Sequence, residues 1–408
     1  MTKLKAIIAL SWKNIWRNKT RSMVVITAVI LGTGAGVFMS AFMYGLSMQY
    51  VRSELENFVS HIQIHTQEFR KEPLPEYTIQ NADSLISELR ANPEVKTLAK
   101  RTVISGLVSS SSSSYGVTIK GIYPDQEKQV TKLYTFMKEG DYFESRTRNP
   151  IIIGEKLANR LSVDVRSKIV LNFQDVDGNL AAAAFRVVGI FKSPNSNFDQ
   201  SNVFVPAETI NGLINEPDAV HEIAILIDNF KMADSLKTSL VNDPNLLAES
   251  WGELSPSLSY TDSMVGTMLY IVMVIILIAL TFGIVNTMLM AVLERQQELG
   301  MLMAVGVNKM RTFSMIMFET VFLATFGAPI GLFLAWFGIT IMADTGVDVS
   351  AFAQGFEMYG MGTVIYPELE PNYYFYVSLL ILVTTLVASI FPALKALKLN
   401  PVEAIRKI

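Results

Sequence analysis

One short stretch carries side chains that could bind a metal ion. His61, Gln63 and His65 alternate along a segment with the pattern of a strand, so they are predicted to share one face. Two imidazoles at that spacing could ligate zinc, but no carboxylate or third histidine follows nearby on that face. The pattern therefore favours a polar, outward strand face, and the sequence predicts no metal site.

The residue patterns of familiar catalytic sites are missing from the sequence. Its 408 residues include no cysteine, which excludes disulfides and thiol catalysis. It contains no Gly-x-Ser-x-Gly, no His-Glu-x-x-His and no glycine-rich Walker loop that would bind ATP. A formal net charge of -3 argues against nucleic acid as a partner. The chain is therefore predicted to be non-catalytic and to need no cofactor, and if it belongs to an ATP-driven assembly, ATP and magnesium act on another polypeptide.

Another stretch has the pattern of a short helix between two spanning helices, which could pass motion from a soluble partner to both of them. From Asn286 the chain leaves an apolar segment at Glu294 and Arg295, and a second apolar segment begins beyond Arg311. Between them, apolar residues and a glycine fall at i, i+3, i+4 and i+7, which predicts a short amphipathic helix at the membrane surface. Gly300 is expected at the turn where this helix begins, and Glu298 is expected to present its carboxylate to a cationic partner. The residues predicted to contact that partner are Glu294, Arg295, Glu298, Leu299, Gly300, Leu302, Met303 and Gly306.

Four apolar stretches are long enough to cross a bilayer, since a helical span needs about 20 apolar residues. The predicted fold is an α-helical membrane protein with one N-terminal and three C-terminal spans, and a large mixed α/β domain inserted between the first and second. The predicted segments are an amphipathic helix 1–20, a span and stalk 21–50, the inserted domain 51–262, spans 263–293, 311–343 and 373–393, the short helix segment 294–310, a loop 344–372 and a tail 394–408.

Lysine and arginine predict the orientation of these segments. Six basic residues and no acidic residue precede Met23, whereas the loop from Ala343 to Asn372 carries five acidic residues and no basic one. Because basic loops stay in the cytoplasm, both termini and the short helix are predicted to be cytoplasmic and the inserted domain external.

Two features within the spans are expected to have structural roles. Ala28, Gly32, Gly36 and Ser40 recur at every fourth residue, a spacing that lets helices approach closely, either within one chain or between this chain and a second membrane subunit. Glu319 lies inside the third span, where a carboxylate is costly unless it is paired or near water. A neighbouring cation is the expected partner, and a proton relay is the alternative.

The inserted domain is predicted to contain two β-α-β units, at 51–135 and 207–255, that flank a β-rich lobe at 136–206. Asp177-Gly178 predicts a hairpin within the lobe. The serine run from Ser109 to Ser114 is interpreted as a hairpin tip.

Several of these motifs occur together in one family. The pattern Glu294-Arg295-x-x-Glu298-Leu299-Gly300-x-Leu302-x-Ala304-x-Gly306 resembles the coupling helix of FtsX-like ABC transporter permeases, the group that includes MacB, LolC and LolE. Further similarity lies in Ile153-Gly154-Glu155-x-Leu157-Ala158, in Val187-Val188-Gly189-Ile190-Phe191, in Trp251-x-Glu253-Leu254-x-Pro256 and in the C-terminal Pro401-Val402-Glu403-Ala404-Ile405-Arg406. The resemblance extends over almost the whole chain.

This resemblance implies a permease subunit in the bacterial inner membrane that works with a second permease, a separate ABC ATPase, membrane lipid and a periplasmic carrier or adaptor. The coupling helix would pass the motion of the ATPase to the external domain. The expected function is the release of lipoproteins from the inner membrane. MacB-like export of periplasmic peptides or drugs is the alternative. A third, of another class, is a non-transport regulator of a cell-wall hydrolase.

Overall fold

The computed structural model describes residues 2–17, 19–144, 147–352 and 363–398. The chain forms two compact units. The helical unit comprises Met1–Ser47, Ser263–Asp348 and Val364–Ile408, and the sheet domain comprises Met48–Asp262 and Val349–Thr363. The middle of the predicted loop 344–372 and the C-terminal motif from Pro401 to Arg406 lie outside the described residues.

Helices and strands are numbered in chain order. The helices are α1 (Thr2–Arg17), α2 (Lys19–Glu54), α3 (Gln67–Lys71), α4 (Ala82–Ala91), α5 (Pro124–Val130), α6 (Glu155–Leu161), α7 (Ser196–Ser201), α8 (Ala207–Leu213), α9 (Ala233–Leu240), α10 (Trp251–Leu254), α11 (Pro256–Glu294), α12 (Gln296–Ala304), α13 (Lys309–Thr345) and α14 (Pro371–Leu397). The strands are β1 (Ile62–Thr66), β2 (Val95–Ser109), β3 (Ser114–Ile122), β4 (Met137–Gly140), β5 (Pro150–Gly154), β6 (Lys168–Gln174), β7 (Leu180–Phe191), β8 (Asn202–Pro206), β9 (Glu222–Ile227), β10 (Leu246–Ser250), β11 (Val347–Asp348) and β12 (Val364–Ile365).

Four helices of the described chain are long and apolar enough to cross a membrane, namely α2, α11, α13 and α14. One precedes the sheet domain in the chain and three follow it, as the apolar stretches predict.

Glycines set the approach of α2 to its neighbours. A Cβ atom on Gly32 would lie 3.0 Å from Leu280 Cδ1 of α11, and one on Gly331 of α13 would lie 2.7 Å from the carbonyl oxygen of Ile30. Small residues therefore bring α2 against two other spans of the same chain.

The predicted stripe of small residues packs inside the helical unit. Gly32 and Gly36 face Leu280 and Ile276 of α11, and Ser40 donates a hydrogen bond to the carbonyl oxygen of Gly36 at 2.9 Å. Ala28, on the same helix, is partly buried. The glycines contact a span of the same chain, and a contact with a second subunit stays a prediction.

A ten-stranded sheet forms the sheet domain, in the order β10-β1-β9-β2-β3-β8-β5-β7-β4, with β6 paired to β2 and β7. The β1-α4-β2 and β9-α9-β10 units interleave as four antiparallel strands at one end. The long hairpin of β2 and β3 continues into the other end, because β2 pairs with β9 near its start and with β6 near its tip. The serine run closes this hairpin, and Asp177-Gly178 closes the β6-β7 hairpin.

The face of β1 that carries Gln63 and His65 is buried, so the prediction of an outward polar face is wrong. Ile62 and Ile64 enter one apolar core, and Gln63 and His65 are buried on the opposite side of the strand. Strand β1 follows a π-helical turn, which Leu55–Val59 form and which ends at Ser60 with φ of 67°. Both faces of this strand are therefore covered by other elements.

Candidate functional site

A short helix connects the second and third spans, as the sequence predicts, but its ends differ from expectation. The spanning helix α11 ends at Glu294, Arg295 leaves the helical conformation with ψ of 17°, and α12 follows directly. At its other end Val307 N–H donates to Leu302 O at 3.0 Å and Gly306 N–H to Met303 O at 3.1 Å. These two hydrogen bonds, together with φ of +99° at Gly306, form the Schellman motif that terminates a helix.

Gly300 and Gly306 both have roles that differ from the predicted ones. Gly300 lies inside α12 and is buried, so the expectation that it forms the turn where α12 begins is wrong. Gly306 lies beyond the C-terminal end of α12, and its left-handed conformation ends the helix there. Of the other predicted face residues, Leu299 is buried, Met303 is partly buried and Leu302 is exposed, so they do not form one continuous buried stripe.

Arg295 fixes the start of α12 to the third span. Its Nη1 atom donates to both carboxylate oxygens of Glu319, at 2.9 and 3.2 Å. Its Nη2 atom donates to the carbonyl oxygen of Asn14 in α1 at 3.2 Å. Both charged side chains are largely buried. This geometry makes Arg295 the cation that faces Glu319 and joins α1, α12 and α13 at one point.

Glu298 is paired within the chain. Its carboxylate accepts a hydrogen bond from the guanidinium of Arg17, the last residue of α1, and both side chains are about half exposed. Helix α1 in turn lies against α13, where Ser11 donates to the carbonyl oxygen of Met315 at 3.0 Å. Trp12 packs on Phe326 with ring centroids 5.4 Å apart. Glu298 therefore holds α12 to α1, a contact that sequence spacing does not reveal.

The outer side of α12 is apolar and exposed. Val305 is 87% exposed and Met301 53% exposed, and Leu302 and Met310 add further exposed apolar area. We call these four residues the α12 patch. Three of them, Met301, Leu302 and Val305, also line a cavity of about 450 Å³ between α1, α11, α12 and α13, and Arg295 and Glu319 complete part of its lining. Glu294, at the end of α11, is exposed. An exposed apolar cluster next to charged groups is typical of a protein contact surface.

A separate polar cluster is buried in the sheet domain, and the sequence analysis missed it. Arg101 of β2 donates to Glu127 at 2.9 and 2.7 Å and also to Glu222 of β9. All three side chains are almost fully buried. Burial acts to lower the pKa of Arg101, but the charges of Glu127 and Glu222 raise it above its usual value. The sequence signal that could have revealed this cluster is the presence of charged residues such as Arg101 and Glu222 within otherwise apolar strands.

No group of three His, Cys, Asp or Glu side chains in the described part of the chain is placed to hold a metal ion. Two of the three histidines have other contacts. His221 is buried and packs on Phe69, and burial lowers its pKa to about 4. His61 accepts a hydrogen bond from Ile227 N–H at 3.1 Å.

Two family models match the sequence. The MacB-like periplasmic core domain matches residues 22–242, which is more than half of the chain. The FtsX-like permease C-terminal domain matches residues 270–401, a range that includes α12. The two matches therefore cover both the sheet domain and the three C-terminal spans.

Curated relatives match over different lengths. The lipoprotein-releasing system transmembrane protein LolE of Haemophilus influenzae is 23% identical, with 97% of this chain and 98% of that protein covered. The corresponding LolC protein of Neisseria meningitidis serogroup B is 22% identical over 94% of each chain. The macrolide export ATP-binding/permease protein MacB of Vibrio parahaemolyticus is 25% identical over 56% of this chain but only 34% of that protein.

Proposed function

Because this chain belongs to the FtsX-like permeases with a MacB-like periplasmic core domain and is an ABC transporter permease of the LolC/LolE and MacB type, we propose that it drives the release of lipoproteins from the inner membrane. It is a multi-pass inner-membrane protein with a periplasmic domain. The observation that carries the proposal is the end-to-end match with LolE, which includes both units and the short helix between the second and third spans.

The geometry of α12 supports a mechanical role in this release. A separate ATPase subunit would dock on the α12 patch, where exposed apolar side chains can be buried in an interface. Arg295 would pass the displacement of α12 to α13 through Glu319, and Arg17 would carry α1 along through Glu298. A second permease, identical or related, would complete the transporter. ATP and magnesium would bind to the ATPase, and α12, α13 and α1 of this chain would move in response.

The proposal places α12 and both termini in the cytoplasm, which rests on the distribution of lysine and arginine. The chain has no cysteine, so single cysteines report the side of the membrane directly. A cysteine at Ser112 or Gly178 is expected to react with a membrane-impermeant maleimide in intact spheroplasts, and one at Gln297 only after lysis. Reaction of the Gln297 variant in intact spheroplasts would reverse the proposed orientation.

Reconstitution tests the lipoprotein proposal itself. Proteoliposomes that contain this permease, its partner permease, the ATPase and a triacylated lipoprotein are expected to release that lipoprotein to a soluble carrier when ATP is added. A preparation without ATP is the control. Export of a peptide or macrolide without any lipoprotein release would support the MacB-like alternative. Activation of a cell-wall hydrolase without transport of either cargo would support the regulator.

A further inference from the structure

A polar cavity of about 510 Å³ lies entirely within the sheet domain, on the face of β1 opposite its apolar core. Its volume lies within the range of small-molecule sites. Residues from the π-helical turn, from β1, from β3 and from the segment before α11 line it, including Phe58, His65, Lys120, Phe198 and Leu254.

His65 is the buried polar side chain of this cavity that has unused hydrogen-bonding capacity. It is only 4% exposed, and neither ring nitrogen has a hydrogen-bond partner among the described residues. Its ring stacks on Phe69 at 5.9 Å, which fixes its plane. A buried polar group without a partner costs free energy, so a ligand that supplies one is stabilised there.

Lys120 contributes an ammonium group to the same cavity. It forms no ion pair within the described part of the chain, and its Nζ atom lies 5.7 Å from the centroid of the Phe198 ring. Burial lowers the pKa of Lys120, and the charges of Glu222 and Glu127 offset this only in part because the charge of Arg101 acts in the same direction as burial. An anion bound beside Lys120 would add to this partial compensation and stabilise the ammonium.

The carboxylates at the cavity already have donors. Glu222 accepts from Arg101, and Glu54 accepts from the side-chain amide of Asn195 at 3.1 and 3.2 Å. The groups that are left open are therefore the ammonium of Lys120 and the two ring nitrogens of His65, one of which is an N–H donor in the neutral imidazole. Donors of this kind fit a carboxylate.

Aromatic rings form the apolar side of the cavity. Phe58 and Phe198 lie with ring centroids 4.1 Å apart, and Phe69 and Leu254 also line the space. A ligand that satisfies both sides has an apolar body and one anionic end.

We propose that this cavity of the sheet domain binds a small monocarboxylate, with the carboxylate at Lys120 and His65 and an apolar body packed against Phe58, Phe198 and Leu254. The site is independent of the proposed lipoprotein release, since it lies wholly within the sheet domain. Loss of one does not imply loss of the other.

Titration calorimetry on the full chain in lipid nanodiscs tests this site, with 3-phenylpropionate as the probe and empty nanodiscs as the blank. The wild-type chain is expected to bind 3-phenylpropionate, and the uncharged 3-phenylpropionamide is expected not to bind. Lys120→Met removes a charge-assisted hydrogen bond and is expected to weaken binding by about tenfold or more. Lys120→Arg keeps the charge and is expected to retain most of the affinity.

The matched control is Lys168→Met, which removes an exposed lysine of β6 that does not line the cavity. It is expected to bind the probe as the wild-type chain does, and thermal melting establishes that each variant is folded. Absence of binding to the wild-type chain would overturn the proposal. Equal affinity of the folded Lys120→Met variant and the wild-type chain would overturn it as well.

Discussion

The Glu319→Leu variant is expected to be destabilised by about 3–5 kcal/mol, because it leaves a largely buried guanidinium without its counter-charge. Arg295→Met should cost a similar amount, since it leaves the carboxylate of Glu319 without the guanidinium that it contacts at 2.9 Å. The double variant Arg295→Met with Glu319→Leu should recover part of this loss, because removal of both charges avoids an uncompensated one. Thermal unfolding of the purified protein in nanodiscs measures all three effects.

Glu319→Gln separates a structural role from a proton-linked one. Glutamine keeps an oxygen acceptor for Arg295 but cannot exchange a proton, so a paired structural carboxylate predicts that much of the activity remains. If Glu319→Gln and Glu319→Leu both abolish transport while both proteins fold normally, the proton relay is favoured instead.

The Val305→Asp variant is expected to lose most of its affinity for the ATPase. Val305 is 87% exposed in this chain, and burial of a whole apolar side chain in an interface contributes about 1.5–3 kcal/mol. Since about 1.4 kcal/mol corresponds to a tenfold change in a dissociation constant, the expected loss is about 10- to 100-fold. Co-purification with the ATPase at graded ATPase concentrations measures it.

The chain offers a matched control for this substitution. Leu180 of β7 is 86% exposed, so Leu180→Asp places the same charge at an equally exposed apolar position of the sheet domain. It is expected to bind the ATPase as the wild-type chain does. If the Val305→Asp and Leu180→Asp variants bind the ATPase equally well, the α12 patch is not part of the interface.

The spans and most of the sheet are predictable from the sequence for a physical reason. A lipid-spanning helix needs a long apolar run, and α2, α11, α13 and α14 each contain one. Strand pairs such as β6 and β7 are adjacent in sequence and joined by a turn whose residues specify it. In these cases the residues that determine the structure are close together in the sequence.

The features that could not be predicted depend on residues distant in sequence. Glu298 meets Arg17 across 281 positions, and Glu222 meets Arg101 across 121. No local pattern encodes either contact. The burial of His65 has the same origin, because an alternating strand has two faces and only packing decides which of them meets solvent. Gly306 is different, since a glycine just past the end of a predicted helix is a local signal for helix termination, whereas the sequence analysis placed Gly306 on a face of the helix.

Photo-crosslinking from Val305 tests most directly the claim that α12 receives the motion of the ATPase. Benzoylphenylalanine would replace Val305 in one preparation and Leu180 in another, each in proteoliposomes that release lipoprotein when ATP is added. We expect a crosslink to the ATPase from position 305, with a yield that changes between the nucleotide-free and ATP-bound states, and none from position 180. Absence of a crosslink from position 305 in a preparation that still releases lipoprotein would contradict the account.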